Sequence, residues 1–275
     1  MKRFNLLLLC LLVPSVASTT GLPQNSAAST APQQADSGTV QLTPMKHLRK
    51  GVDAWPLIEN PTSPAEQRVN ATLTRLNQRL AKALQDCDTN ARASMKEDGQ
   101  SSKGQDPTVD DWSRTVEVTM TGPRFLSIVA TDEIFCGGAH PDGDQMAMVF
   151  DMTTDSPVNW IKLLPKSSTP SALTDTVADG STMGALVLPA LRKILLAAAD
   201  ADCKDAFQDP QGFLLWPDAK HEALVAQPFD LPHVVQACAN EINLTLDQAR
   251  KLGFDETLLT AIQQAHSHVS SASKH

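Results

Sequence analysis

Three β-prone runs crowd into residues 112–150, and a single glycine pair interrupts them. From Trp112 to Thr121, Val116, Val118 and Met120 fall at every second position. Arg124 to Ile134 is a second run, and Met146, Met148 and Phe150 alternate again in a third. A period of two is the mark of a strand with one face against a core. Gly122-Pro123 turns the chain between the first two runs. Phe135-Cys136-Gly137-Gly138-Ala139-His140-Pro141-Asp142 separates the second from the third. Such short connections predict an antiparallel meander.

The flanks supply what would cover this sheet. Ser63 is a good N-cap, Pro64 suits a first helical position, and Glu66 completes a capping box. Val69, Leu73, Leu76, Leu80, Ala83, Leu84 and Cys87 then recur every three or four residues, predicting an amphipathic helix that ends near Cys87. Asp88 to Asp111 is polar, with Gly99, Gly104 and Pro107, and reads as a loop. Beyond the meander, Asp151 to Trp160 reads as a turn and a short strand, and Pro165 to Asp179 as a polar loop. Met183 to Asp202 reads as a second helix, with its start moved toward Leu188 if Pro189 lies in the first turn. Phe213–Trp216 and Ala223–Ala226 read as strands, and Asp230 to Cys238 as a loop entering a short strand or helix. Leu244 to Gly253 and Phe254 to Gln264 read as short helices. Strand clusters without βαβ alternation predict an α+β fold: an antiparallel sheet with two main helices packed on it.

The ends read differently. Lys2 and Arg3 precede an apolar run from Phe4 to Val13 and the small residues around Ala17. Residues 1–18 therefore read as a signal peptide, since a span needs about 20 apolar residues. Leu11 follows Cys10 where a lipoprotein would carry a small residue, so export to the periplasm or medium is expected over lipid anchoring. Residues 19–43 are rich in Ser, Thr, Ala, Gln and Pro and read as a flexible linker. Residues 44–265 read as one domain, and 266–275 as a disordered tail. No second apolar run is long enough to span, so the mature chain is not expected to be membrane-embedded. Without Lys2 and Arg3, the 23 basic residues become 21 against 31 acidic ones, a net charge near −10. Such a surface disfavours nucleic acid and anionic membrane and favours a basic partner.

The mature chain keeps Cys87, Cys136, Cys203 and Cys238. Four cysteines in an exported chain allow two disulfides in three pairings. Cys87 with Cys136 and Cys203 with Cys238 is the expected connectivity, although spacing leaves the other two open. Neither a CxxC nor a zinc-like spacing occurs, and no metal or cofactor is expected.

In the central loop, the adjacent glycines permit positive φ or close backbone approach, and Pro141 holds His140 extended. Gly137, Gly138, His140, Pro141 and Asp142 form a candidate binding loop, with His233 as a second histidine that would lie nearby if the two loops share an edge. There is no GxSxG, HExxH or DxDxDG signature. A structural turn therefore leads over a partner contact, and both lead over catalysis. Asp142 and Asp144 lack the other ligands of a calcium loop. Asn70-Ala71-Thr72 and Asn243-Leu244-Thr245 match glycosylation sequons by spacing alone.

Gly122-Pro123-Arg124-Phe125-Leu126-Ser127, then Phe135-Cys136-Gly137-Gly138-Ala139-His140-Pro141, then Phe150-Asp151-Met152 leading to Pro157-Val158-Asn159-Trp160, resembles the RsiV-type extracytoplasmic domain. That domain also accompanies PdaC-type peptidoglycan deacetylases. Thr154 matches the family's threonine, while Asp155 replaces its glycine. The resemblance spans residues 112–252. It implies an α+β fold outside the cytoplasmic membrane and, from the RsiV-type anti-sigma factors, a lysozyme-like partner. This chain shows neither their transmembrane and sigma-binding parts nor a deacetylase domain, so those activities are not expected to carry over. The leading expectation is an exported, non-enzymatic envelope domain that binds a lysozyme-like basic protein or peptidoglycan. A cell-wall hydrolase or deacetylase-like enzyme using His140 and His233, and a structural or assembly factor, are the alternatives.

Overall fold

A computed structural model describes residues 38–97, 112–137, 140–154, 156–207 and 210–272. Two short strands, β1 (His47–Arg49) and β2 (Val52–Asp53), precede the long helix α1 (Pro64–Glu97). The meander follows as β3 (Trp112–Met120), β4 (Phe125–Ile134) and β5 (Asp142–Asp151), with β6 (Ser156–Pro157) at its edge. These six strands form one sheet in the order β1-β2-β3-β4-β5-β6. All its pairings are antiparallel except β2 with β3.

A second, antiparallel sheet joins β7 (Ser171–Thr176), β8 (Thr182–Val187), β9 (Gly212–Asp218), β10 (Ala223–Phe229) and β11 (Ile242–Thr245), in the order β11-β10-β9-β8-β7. The helix α2 (Pro189–Ala198) lies between β8 and β9, and α3 (Leu246–Leu252) and α4 (Glu256–Ala272) close the chain. Alternation explains how the second sheet is covered on both faces. Leu186, Phe213, Leu215, Leu224 and Leu244 join a core with Leu191 and Leu195 of α2 and Leu258 and Ile262 of α4. Their neighbours Ala185, Leu214, Trp216 and Val225 join a different core with Leu126, Ile128 and Met146 of the first sheet and Leu73 and Leu76 of α1. A strand buried on both sides reads as an unbroken apolar run, and Phe213-Leu214-Leu215-Trp216 is one.

The α1 start is as the capping residues predict: Glu66 N–H donates to Ser63 Oγ at 3.1 Å, and Ser63 N–H donates to Glu66 Oε2 at 3.2 Å. Two asparagines on α1 hold the preceding strand-like segment along the helix. Asn77 accepts from Trp55 N–H at 2.8 Å and donates to its carbonyl at 2.9 Å, and Asn70 does the same for Ile58 at 2.7 and 2.9 Å. The Asn70 sequon amide is thus already committed to the fold.

The α+β class, the antiparallel strands and the two disulfides all stand, with the strands divided between two sheets. Several boundaries differ from expectation. Helix α1 runs to Glu97 rather than ending near Cys87, because Ala91 is buried and extends the apolar stripe past the polar Asp88-Thr89-Asn90. The expected loop 165–179 contains β7, whose six residues are all exposed and so carry no burial period. Met183–Val187 is strand rather than helix. Leu188 becomes the N-cap of α2 with Pro189 at its first position, because proline lacks the N–H that a helix interior needs. Residues 242–245 form β11, although the expected helix does close at Gly253, at φ 92°. Helix α4 continues through Ala272, where a frayed tail is expected from residue 266, because Ala265 lies in the core.

Candidate functional site

The loop Phe135–Pro141 joins β4 to β5, and Ile134 faces Asp142 across its base. A disulfide from Cys136 to Cys87 staples it to α1. Gly137 sits at φ 82°, and a Cβ there would stand 2.5 Å from Ser94 Oγ and 3.2 Å from Ala91 Cα. Only glycine meets both the left-handed backbone and the close approach to the helix. This half of the loop is therefore architecture. Gly138 and Ala139 lie outside the described residues. His140 and Pro141 are exposed, and Asp142, also exposed, opens β5.

Asp142 leads into a cleft of about 280 Å³. One wall is Asp142 and Asp144 of β5. The second is the β7–β8 hairpin, with Asp175, Thr176 and Ala178. The third is the end of β10 with Asp230, and beyond it Gln236 and Ala239. Gln236 belongs to the 3-10 turn His233–Cys238, which a second disulfide, Cys203–Cys238, ties to the turn Ala201–Ala206. His233 opens that turn, and its side chain lies outside the described residues. The structure thus brings Asp142 and the chain following Pro232 to one concave surface.

The cleft is strongly acidic. Among the described residues its lining holds four aspartates, Asp142, Asp144, Asp175 and Asp230, and no Lys, Arg or His. Asp144 accepts a hydrogen bond from Ala178 N–H at 2.7 Å. Burial, with a smaller contribution from Asp132 and Asp142, nevertheless pushes its carboxyl up to about 6. Asp132 and Asp144 are direct cross-strand partners, which explains the repulsion. Burial, and then the neighbouring Asp175, also raises the Asp230 carboxyl. Gln227 donates to Ala239 O at 3.0 Å, and its Oε1, buried, has no hydrogen-bond partner. Asp175 and Asp230 escape sequence reasoning because each lies in a stretch without apolar periodicity. Asp144 is visible only as part of an incomplete calcium-like triplet.

The raised Asp144 carboxyl has a stability consequence. A buried aspartate with an elevated pKa favours the protonated form in the folded state, so its contribution is lost as pH rises from about 4 through about 6. Asn mimics the protonated acid and keeps an acceptor for Ala178. Asp144→Asn is therefore expected to be more stable than the parent at pH 8 by about 1–2 kcal/mol, after allowance for partial solvent screening. The gain should vanish near pH 4. Melting curves at both pH values check this; an equal gain at both would refute the electrostatic origin.

Among the described residues, no helix is long and apolar enough to cross a membrane, and no group of three or more His, Cys, Asp or Glu is placed to hold a metal ion. Fold and site together define a disulfide-stapled, two-sheet α+β protein with an acidic cleft. Its two disulfides are the mark of an oxidising compartment. No family model matches the chain, and no curated protein matches it. Among solved structures it is similar to the crystal structure of a member of the DUF3298 family from Bacteroides fragilis NCTC 9343. The TM-score is 0.49 at 8% identity, covering 83% of this chain and 99% of that one.

Proposed function

We propose that this chain is an exported, non-enzymatic envelope domain that binds a basic protein of the lysozyme type through the acidic cleft. The observation that carries the reading is the convergence of Asp142, Asp144, Asp175 and Asp230 on one concavity. An Arg or Lys from a partner would favour the ionised forms of Asp144 and Asp230, which burial and, to a smaller extent, neighbouring carboxylates disfavour. The acidic excess of the whole chain would speed that encounter, and the resemblance to the RsiV-type domain supports a lysozyme-like partner. His140, Pro141 and Asp142 would form the rim, while Gly137 sets the loop against α1.

Calorimetric titration of the purified mature chain with lysozyme tests the reading. Binding is expected at low salt and should weaken steeply with added salt, since exposed charges are screened. The double variant Asp175→Asn/Asp230→Asn should lose about tenfold or more in affinity. The distant control Glu59→Gln should bind like the parent. Absence of binding to lysozyme at low salt refutes the proposal.

A second reading, a cell-wall hydrolase, draws on the raised carboxyls of Asp144 and Asp230, because perturbed acids in a cleft are candidates for proton transfer. Release of soluble fragments from labelled peptidoglycan, lost in Asp144→Asn, would replace the binding reading with this one.

A further inference from the structure

The sheet edges are unequal. At the edges of the first sheet, β6 has two residues including Pro157, and β1 has three, carries His47 and Arg49, and pairs irregularly with β2. In the second sheet, β11 has four residues and runs directly into α3. Short strands, prolines, charges and bulges are the ordinary ways of protecting an edge from pairing with another chain. The remaining edge, β7, has neither a proline nor a bulge, and its one charge is Asp175. Its six residues, Ser171-Ala172-Leu173-Thr174-Asp175-Thr176, hold no proline and no lysine and are all exposed. Their register with β8 is unbroken from Ser171↔Val187 to Thr176↔Thr182. Among the described residues, β7 pairs with β8 alone.

This edge also borders the acidic cleft. Leu173 and Asp175, two residues apart and so on one face of the strand, line adjoining cavities of about 300 and 280 Å³. The two cavities meet at Phe229, Asp230 and Leu231. Phe229 and Asp230 line both; the Leu173 side adds Ala206 and Pro232, and the Asp175 side adds Asp142 and Asp144. A mixed subsite beside Leu173 and an anionic one beside Asp175 therefore lie a strand repeat apart.

We propose that a basic partner enters as an extended segment, adding a strand to the outer edge of β7 and setting an Arg or Lys in the Asp175–Asp230 subsite with an apolar side chain two residues away beside Leu173. This rests on the binding reading above and specifies its mode. Main-chain pairing would supply affinity, and the two alternate side chains specificity.

The test uses a strand-forming nonapeptide of Thr and Val that carries Leu and Arg two residues apart. Two further peptides have the same sequence, with N-methyl groups on one or the other set of alternate backbone nitrogens. The parent peptide is expected to bind the full mature chain at low salt. One N-methylated form should bind about tenfold or more weaker, because one set of amides faces β7. Amide exchange within Ser171–Thr176 should slow on binding, and Asp175→Asn/Asp230→Asn should abolish the effect. Equal affinity of all three peptides, or no binding of the parent, overturns strand addition. So does a concentration-dependent dimer whose β7 amides are already protected, since the edge would then belong to a second copy of this chain. Lysozyme binding that still depends on Asp175 and Asp230 would leave the broader reading intact in each of these cases, whereas its absence would remove both.

Discussion

Replacing Arg114 with methionine is expected to cost about 3–5 kcal/mol at pH 7, the range for breaking a buried ion pair from one side. The Arg114 side chain is 0% exposed, and its partners Asp132 and Asp179 are 1% and 0% exposed. Arg114 Nε donates to Asp132 Oδ1 at 2.7 Å and Nη2 to Oδ2 at 2.5 Å, while Asp179 Oδ2 lies 3.8 Å from Nη2. Trp112 Nε1 donates to Asp132 at 2.7 Å, and the Trp55 ring lies under the guanidinium at 5.8 Å. Removing the one cation leaves two carboxylates in a dry site, and Asp132 faces a third, Asp144, across the β4–β5 ladder. For a chain of this size the loss corresponds to a melting point lower by about 10 °C. The double variant Arg114→Met/Asp132→Leu should be milder than the single one, because it removes charge from both sides. A single variant that melts like the parent at pH 7 would refute the role given to the pair.

Reduction of the disulfides is expected to have a comparable effect. The bridges close loops with sequence separations of 49 and 35 residues. Chain-entropy arguments assign about 3–4 kcal/mol to loops of this length. Cys87→Ser/Cys136→Ser should lower the melting temperature by freeing the β4–β5 loop from α1. Cys203→Ser/Cys238→Ser should lower it as well, and should also weaken partner binding, because the turn it anchors carries Gln236 in the cleft wall. Unchanged melting under strong reductant would refute both.

The first sheet was legible because Val116, Val118 and Met120, and then Met146, Met148 and Phe150, alternate in a way only a half-buried strand requires. The Ser63-Pro64-Glu66 start of α1 was equally plain, since a capping box is a local device. Part of the second sheet was hidden, for opposite reasons in β7 and β8. β7 has no buried residue, so nothing in it repeats. From β8 onward, Met183, Val187 and then Leu191 keep a helical spacing across Pro189 and disguise the change of structure. The cleft was half legible: the glycine-histidine loop pointed to Asp142, and Asp230 lies just before the Leu231-Pro232-His233 run. What makes it a cleft is the curl of the β7–β8 hairpin toward Asp144, a tertiary contact through the Ala178 backbone that no side-chain pattern encodes.

The two disulfides stand on opposite walls of the same concavity. Cys136 lies in the loop that delivers Asp142, and Cys238 ends the turn that delivers Gln236. A newly made chain whose cysteines are still thiols has neither wall tethered. The shape of the acidic cleft is then acquired on oxidation rather than on synthesis.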